Sequence, residues 1–298
     1  MKSKILFIIN PKSGVKKRVD VEKMIYKHLD MTKFDPKVIY TTHKAHAIEL
    51  TRNAIDEQMD IVCAVGGDGT VHEVGTTLIG TDIKLAIIPR GSGNGMGNHM
   101  GIPKLVRKAI KTINNGVYRK MDTVLINDIP FLGVAGVGLD AIIAEKFDTT
   151  EKRGLLGYVK IILKEYFSYK NITVRSKLDD NEEQTDNLFI CSIANGSEFG
   201  NGFCISPNSD VTDGKLELFK LKRINFFAIP VVAYRFFTRT AHQSRFVEIV
   251  PFETCELQID QEIMHLDGEP VTIKSPVHVK VQPKSLSILT GKRNKNGF

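Results

Sequence analysis

Two short stretches set carboxylates beside glycines: Gly66-Gly67-Asp68-Gly69-Thr70 and Asp267-Gly268-Glu269. In the first, an apolar run (Ile61, Val62, Ala64, Val65) breaks into glycines and resumes with Val71, Val74 and Leu78. That spacing predicts a buried strand, a turn and the first turn of a helix. Glycines admit positive φ and let a ligand approach bare backbone, while N–H groups at a helix start face an anion. The loop is therefore suited to phosphate. A carboxylate among phosphate oxygens needs a cation between them, and Mg²⁺ favours one or two carboxylates with nucleotide oxygens and water. A Gly-Asp-Gly alone reads equally well as a plain turn. Asp267-Gly268 is a good two-residue hairpin turn, and by itself it says nothing about chemistry.

The elements around the first stretch repeat its form. Lys4 to Ile9 reads as a strand and ends in Asn10-Pro11-Lys12-Ser13-Gly14; Leu85 to Ile88 reads as another and runs into Pro89-Arg90-Gly91-Ser92-Gly93-Asn94-Gly95. Val21, Met24, Ile25 and Leu29 mark one helix face, Ala47, Leu50, Ala54 and Ile55 a second, with a strand over Val38 to Thr41 between them. Strands alternating with helices predict an open, mostly parallel sheet whose ligands lie at the carboxyl ends of its strands. A helix follows Pro103 to about Asn114, and beyond Tyr118 the chain turns mostly to strands: Val124 to Ile126, Thr173 to Leu178, Leu188 to Ile193, Lys215 to Leu221, Cys255 to Ile259 and Val277 to Val281. The last two alternate apolar and polar residues, the period of half-buried antiparallel strands. Asp179-Asp180-Asn181 reads as a hairpin turn. Helices are expected over Glu151 to Lys170 and Asn225 to Thr240. The aromatic stripe of the latter, beside Arg223, Arg235 and Arg239, reads first as core, with a membrane interface as the alternative.

The 298 residues carry 41 Lys and Arg against 34 Asp and Glu, a net charge of +7. That favours anionic partners without choosing among them. Four scattered cysteines, none as Cys-x-x-Cys, argue against a zinc site or a disulfide scaffold. Ile5 to Ile9 is strand-sized and no small-residue cleavage site follows it, and Phe226 to Tyr234 is broken by Pro230. The expectation is a cytoplasmic chain without an anchor. Lys292 to Phe298 is expected to fray.

Read together, the loops are similar to those of the bacterial diacylglycerol kinase and sphingosine kinase superfamily over essentially the whole chain. The motifs are N-P-x-S-G at Asn10 to Gly14, G-G-D-G-T-x-x-E at Gly66 to Glu73, P-x-G-S-G-N at Pro89 to Asn94, the stretch Gly133 to Asp140, Asn195-Gly196, D-G-K-L at Asp213 to Leu216, and Leu266 to Glu269. The resemblance implies a phosphofructokinase-like α/β domain over 1–120, to which 285–298 can return, and a mostly-β sandwich over 121–284 for the lipid, with catalysis in the cleft between them. It implies ATP bordered by Asn10, Pro11, Ser13, Gly14, Thr41, Gly66, Gly67, Asp68, Gly69, Thr70, Glu73, Gly91 and Ser92. Asp68 would act on Mg²⁺, directly or through water. Glu269 would be the general base toward a lipid hydroxyl, supported by Asp267. Asp210, Asp213 and the Lys215 carbonyl would hold a structural Mg²⁺.

The implied activity is ATP-dependent phosphorylation of diacylglycerol or a related lipid. A sphingoid-base kinase, an NAD kinase or other soluble-substrate kinase, and a non-enzymatic nucleotide or lipid sensor stay open. The implied partners are the membrane lipid and an anionic inner-membrane surface bound reversibly, with no nucleic acid; a homodimer stays open. Two departures matter: Asn94-Gly95 replaces the Asn-Asp of many bacterial diacylglycerol kinases, and His72 stands where Asn is frequent.

Overall fold

The computed structural model describes residues 2–14, 20–139, 166 and 169–291. The chain divides into two compact units, Met1–Met121 with Lys284–Phe298, and Asp122–Pro283.

In the first unit β1 (Ser3–Ile9), β2 (Phe34–Tyr40), β3 (Ile61–Gly66) and β4 (Lys84–Pro89) pair in parallel in the order β2-β1-β3-β4. Ile5 to Ile9 and all of β3 are buried, as a parallel sheet covered on both faces requires. Between and after the strands come α1 (Val21–His28), α2 (His46–Asp56), α3 (Asp68–Thr77), α4 (Gly95–His99) and α5 (Val106–Asn115). The edge strand β2 begins at Phe34 rather than Val38 and takes in Pro36. Proline is tolerated there because, among the described residues, β2 has a neighbour, β1, on one side only. The short α4 has no helical periodicity in its sequence to announce it. The end of β18 (Val277–Leu289) joins this sheet, Ser287 and Ile288 pairing in parallel with Lys84 and Leu85.

Among its described residues the second unit is mostly β, with one α-helix and short 3₁₀ turns. Its six-stranded sheet runs β14 (Val247–Phe252), β13 (Leu216–Leu221), β10 (Ile190–Ala194), β7 (Val134–Gly138), β16 (Ile263–Leu266), β17 (Glu269–Thr272), and every pairing in it is antiparallel. A second layer holds the start of β18, β15 (Thr254–Ile259), β8 (Ile172–Leu178) and β9 (Gln184–Leu188), with β5 (Tyr118–Ile126) and β6 (Ile129–Phe131) as a hairpin. Val137, Ile193, Leu218 and Met264 of the first layer share one buried core with Val174, Leu178, Leu257 and Val277 of the second. This is a sandwich. The single strand expected over 188–193 is instead two, because Leu188 ends β9 and Ile190 begins β10 in the other sheet.

The helix expected over 151–170 lies outside the described residues except for Tyr166, Tyr169 and Lys170; Asp140 and 292–298 lie outside them too. The other expected helix is a 3₁₀ turn (Phe226–Ala228), capped by the Asn225 side chain, followed by α6 (Ile229–Phe237). Its reading as core needs correction. Val232 and Phe236 are buried, but Phe226, Phe227, Val231, Tyr234 and Phe237 are exposed. Among the described residues no helix is long and apolar enough to cross a membrane.

Candidate active site

The loops at the carboxyl ends of β1 to β4 are tied to one helix, α3. Asp68, Thr70 and Glu73 each hold a different loop. Asp68 accepts the backbone N–H groups of Asn94 (2.8 Å) and Gly95 (2.7 Å), one on each carboxylate oxygen. Thr70 Oγ1 accepts from Asn10 Nδ2 at 3.3 Å. Glu73 Oε1 accepts the N–H of Ala45, in the loop after β2, at 3.2 Å. The Asp68 contacts also explain α4: a carboxylate placed on its first N–H groups stabilises a helix that propensity would not start. Asn94, in the left-handed region at φ 55°, turns the chain into α4. Its side chain braces the third loop, accepting from Gly91 N and donating to Gly91 O, both at 2.8 Å.

Backbone bonds complete the edge. Asn10 N–H donates to Val65 O (3.0 Å), Thr41 N–H to Ile9 O (2.9 Å) and Arg90 N–H to Gly66 O (2.7 Å). The first loop also turns on itself, Lys12 N–H donating to Asn10 Oδ1 at 2.9 Å and Ser13 N–H to Asn10 O at 3.1 Å. The glycines are there for space. A Cβ on Gly91 would lie 2.5 Å from the Cα of Gly67, and one on Gly66 would lie 2.3 Å from Thr70 Oγ1. Gly14, at φ 116°, leaves room for the Arg90 guanidinium, whose Nη2 would lie 2.7 Å from an added Cβ. Arg90 thus sets a positive group beside the first loop, a role that its place in the third loop does not announce. Asn10, Thr41, Gly66, Gly67, Asp68, Gly69, Thr70, Glu73 and Gly91 therefore lie on one sheet edge, joined by the bonds above or by chain continuity. Pro11, Ser13, Gly14 and Ser92 sit on the turns beside them.

In the second unit the turn joining β16 to β17 is Asp267-Gly268, with φ of 51° and 89°. Positive φ at both central residues matches the twist of a two-residue hairpin. The Asp267 carboxylate accepts three backbone N–H groups, from Leu132 (2.9 Å), Gly133 (2.7 Å) and Val134 (3.2 Å). Its own N–H donates to Val134 O at 2.8 Å. Asp267 thus fixes the turn, and Glu269, half-buried, is the carboxylate that the turn presents. His265 sits beneath it, its Nδ1 accepting from Gly268 N at 3.3 Å.

Asn195, part of a recognised motif without an assigned role, binds that same strap from inside. Its Nδ2 donates to Leu132 O (2.6 Å) and to Asp122 O (2.9 Å). Asp122, missed in the sequence because a lone Asp in an apolar strand carries no signal, accepts Gly214 N–H at 2.7 Å. The following turn holds Asp210 and Asp213. Asp210 Oδ1 accepts from Thr212 N and Oγ1 (2.9 and 2.6 Å), and Asp213 Oδ1 from Lys215 N (2.9 Å). Burial pushes the nearby Glu217 carboxyl up to about 7, with Asp213 and Asp210 adding to the rise, although Ser209 donates to it at 2.6 Å. Among the described residues no group of three or more His, Cys, Asp or Glu could hold a metal ion. A cation at this turn would have to lean on carbonyl and water oxygens.

Known proteins resemble this chain in sequence and in fold. Residues 4–126 match the diacylglycerol kinase catalytic domain, and residues 133–290 match the YegS C-terminal NAD kinase beta sandwich-like domain. The chain belongs to the diacylglycerol kinase family of lipid kinases. It is 29% identical over 222 residues to a diacylglycerol kinase of Mycobacterium tuberculosis strain H37Rv, covering 72% of each chain. It is 27% identical over 298 residues to the diacylglycerol kinase of Bacillus subtilis strain 168, covering 93% of this chain and 95% of that one. In fold, the chain resembles a diacylglycerol kinase of Bacillus anthracis strain Sterne (TM-score 0.72, 19% identity, 97% of both chains). It also resembles an NAD kinase of Archaeoglobus fulgidus solved with ATP (TM-score 0.54, 14% identity, 98% of this chain and 94% of that one). Both confirm the two-part architecture of an α/β unit with a parallel sheet and a β-sandwich. Membership of a kinase family makes the chain a phosphotransferase that uses ATP.

Proposed function

We propose that the chain is an ATP- and Mg²⁺-dependent lipid kinase that transfers the γ-phosphate to a hydroxyl of diacylglycerol or a related lipid. The observation that carries this reading is Glu269, presented on a turn that Asp267 fixes with three backbone hydrogen bonds. Phosphoryl transfer needs little covalent help; the protein aligns the acceptor hydroxyl with the phosphate and neutralises charge. Glu269 takes the hydroxyl proton on its carboxylate, and a hydrogen bond to the hydroxyl suffices for that. Asp267 is a positioning residue.

On the first unit, bare backbone at Gly67 and Gly91 gives phosphate oxygens an approach that a side chain would close, and Arg90 adds positive charge. Asp68 fits a Mg²⁺ that arrives with the nucleotide. Each of its oxygens already accepts a backbone hydrogen bond, which suits contact through water better than direct coordination. Bound there, Mg²⁺ would neutralise phosphate charge. Asp210, Asp213 and the Lys215 carbonyl are the residues we assign to a second, structural Mg²⁺. Among the described residues, each of those two carboxylates spends one oxygen on its own turn and leaves the other.

The deciding experiment is transfer from γ-labelled ATP with Mg²⁺ to diacylglycerol, monoacylglycerol, phosphatidylglycerol, ceramide, sphingosine and NAD, run beside Glu269→Gln. A labelled lipid made only by the unaltered chain supports the reading and names the acceptor. Label in NAD, or none with ATP still bound, overturns it.

A further inference from the structure

Resting on the lipid acceptor proposed above, we infer that the outward face of residues 226–237 docks on the anionic surface of a lipid bilayer. The helix α6 has two apolar sides and only one is covered. Val232 and Phe236 point into the sandwich core, whereas Phe227 is 90% exposed and Tyr234 68%, with Val231 exposed between them. Residues 227, 231 and 234 recur at helical spacing and so share a stripe. A ring left in water forfeits a gain of about tenfold or more in partition that burial would return, and three such residues on one stripe form a patch, not a scatter.

Charge selects the occupant. From Lys222 to Val247 the chain has five Lys and Arg and no Asp or Glu. Lys222, Arg223 and Arg245 are exposed, and Arg223 is held in place by donating to the carbonyls of Tyr169 (2.8 Å) and Tyr166 (3.3 Å). Arg239 is partly spent on Glu198, at 3.1 Å. Aromatic side chains flanked by cations, on a helix too short to span, match the boundary between headgroups and acyl chains of an anionic bilayer.

A second observation separates a lipid surface from a protein partner. An unbroken file of rings leads from this helix to the Glu269 turn. Phe236 stacks on Phe203 with ring centres 4.2 Å apart and Phe237 meets Phe203 edge-on at 5.8 Å. Phe203 lies on β12 (Phe203–Cys204) and packs on Phe199 of β11 (Glu198–Gly200) at 6.2 Å; Phe199 packs on His265 at 5.6 Å. His265 in turn accepts from Gly268, the residue before Glu269. The exposed ring of Phe237 and the half-buried rings of Phe203 and Phe199 would give an acyl chain leaving the bilayer at α6 apolar surface toward the turn that carries Glu269.

The chain has no Trp, so Phe227→Trp in the full chain is a single fluorescent reporter. Leu105→Trp, at a 63% exposed site in the other unit, is its control. With phosphatidylglycerol–phosphatidylcholine vesicles we expect the indole emission of the Phe227→Trp variant to shift blue, to be quenched by brominated acyl chains, and to recover in about 1 M salt. The control stays unchanged, and Phe227→Ser lowers vesicle partition at least about tenfold. No vesicle-dependent shift overturns the inference, as does an equal shift in the control. So does a shift that grows with protein concentration in the absence of lipid, which would assign the face to a second copy of the chain. Transfer to detergent-dispersed lipid without insertion overturns the docking and leaves the kinase reading; insertion without transfer does the reverse.

Discussion

Asp68 and Asp267 perform the same physical task in unlike surroundings. In the α/β unit, Asp68 sits at the start of α3 and accepts two N–H groups from a loop 26 and 27 residues away. In the sandwich, Asp267 sits on a hairpin and accepts three from a strap 133 to 135 residues away. Each carboxylate pins backbone from elsewhere in the chain, since charge-assisted bonds to N–H groups are the strong ones. The difference lies in what is left over. Asp68 takes part itself in the proposed phosphate chemistry, so positioning and chemistry share one side chain. Asp267, occupied with three N–H groups, leaves the proposed proton transfer to Glu269, two residues on.

That division predicts the largest effect for Glu269→Gln. Losing the proposed base should lower lipid phosphorylation about 10²- to 10⁴-fold with little change in Tm, because the turn is held by Asp267. Steady-state transfer measured beside a melting curve checks both halves. Activity within a few-fold of the unaltered chain would move the base elsewhere.

The two glycine turns can be separated by adding a methyl group to each. At Gly91 the new Cβ meets backbone at 2.5 Å, so the two loops proposed to face phosphate must part; we expect a loss of about 2–3 kcal/mol and of ATP affinity. Nothing lies within 4 Å of a Cβ at Gly268, where the cost is φ alone at 89°, about 1–2 kcal/mol. Denaturant titration with nucleotide-binding calorimetry distinguishes them: ATP affinity should fall for Gly91→Ala only.

How much of this is legible in sequence follows from the same contrast. The strand–turn–helix edge of the α/β unit could be read because its parts are local. Strand, glycine turn and helix follow one another within Ile61 to Leu78, and the loops of Asn10 and Asn94 again follow apolar strands. What could not be read were contacts made in space. The Arg90 position beside Gly14, the Asn94 brace and the Asp68 cap that starts α4 all depend on loops that meet only when the sheet forms. In the sandwich the distances along the chain are longer. Asp267-Gly268-Glu269 reads as a plain turn until Leu132 to Val134 lie against it, and Asp122 reads as an accident in β5. The stripe at Phe226 to Phe237 misled for the opposite reason: apolar residues at helical spacing usually mean core, and spacing cannot say which of two apolar faces is covered.

Next in size is the pair of isosteric changes Asp267→Asn and Asp68→Asn. An amide offers one acceptor and turns its donors toward N–H groups. Asp267→Asn, facing three donors, should therefore cost about 2–3 kcal/mol, and Asp68→Asn, facing two, about 1–2 kcal/mol. Thermal unfolding of both variants measures this. A larger loss for Asp68 would mean that the sheet edge, not the hairpin strap, is the more demanding anchor.

The smallest effect concerns the cation assigned to the turn at Asp210 to Lys215. If that turn binds Mg²⁺ in the folded chain alone, free cation at about ten times its dissociation constant stabilises by about 1.4 kcal/mol, seen as a rise in Tm without nucleotide. Asp213→Ala should abolish the rise while leaving Asp68 untouched, and Asp68→Ala should leave it intact, because without nucleotide phosphate Asp68 supplies too few oxygens to hold Mg²⁺. If Asp68→Ala removed the rise and Asp213→Ala did not, the cation would belong to the α/β edge. Asp210 and Asp213 would then be turn residues whose charge serves only to raise the Glu217 carboxyl beside them.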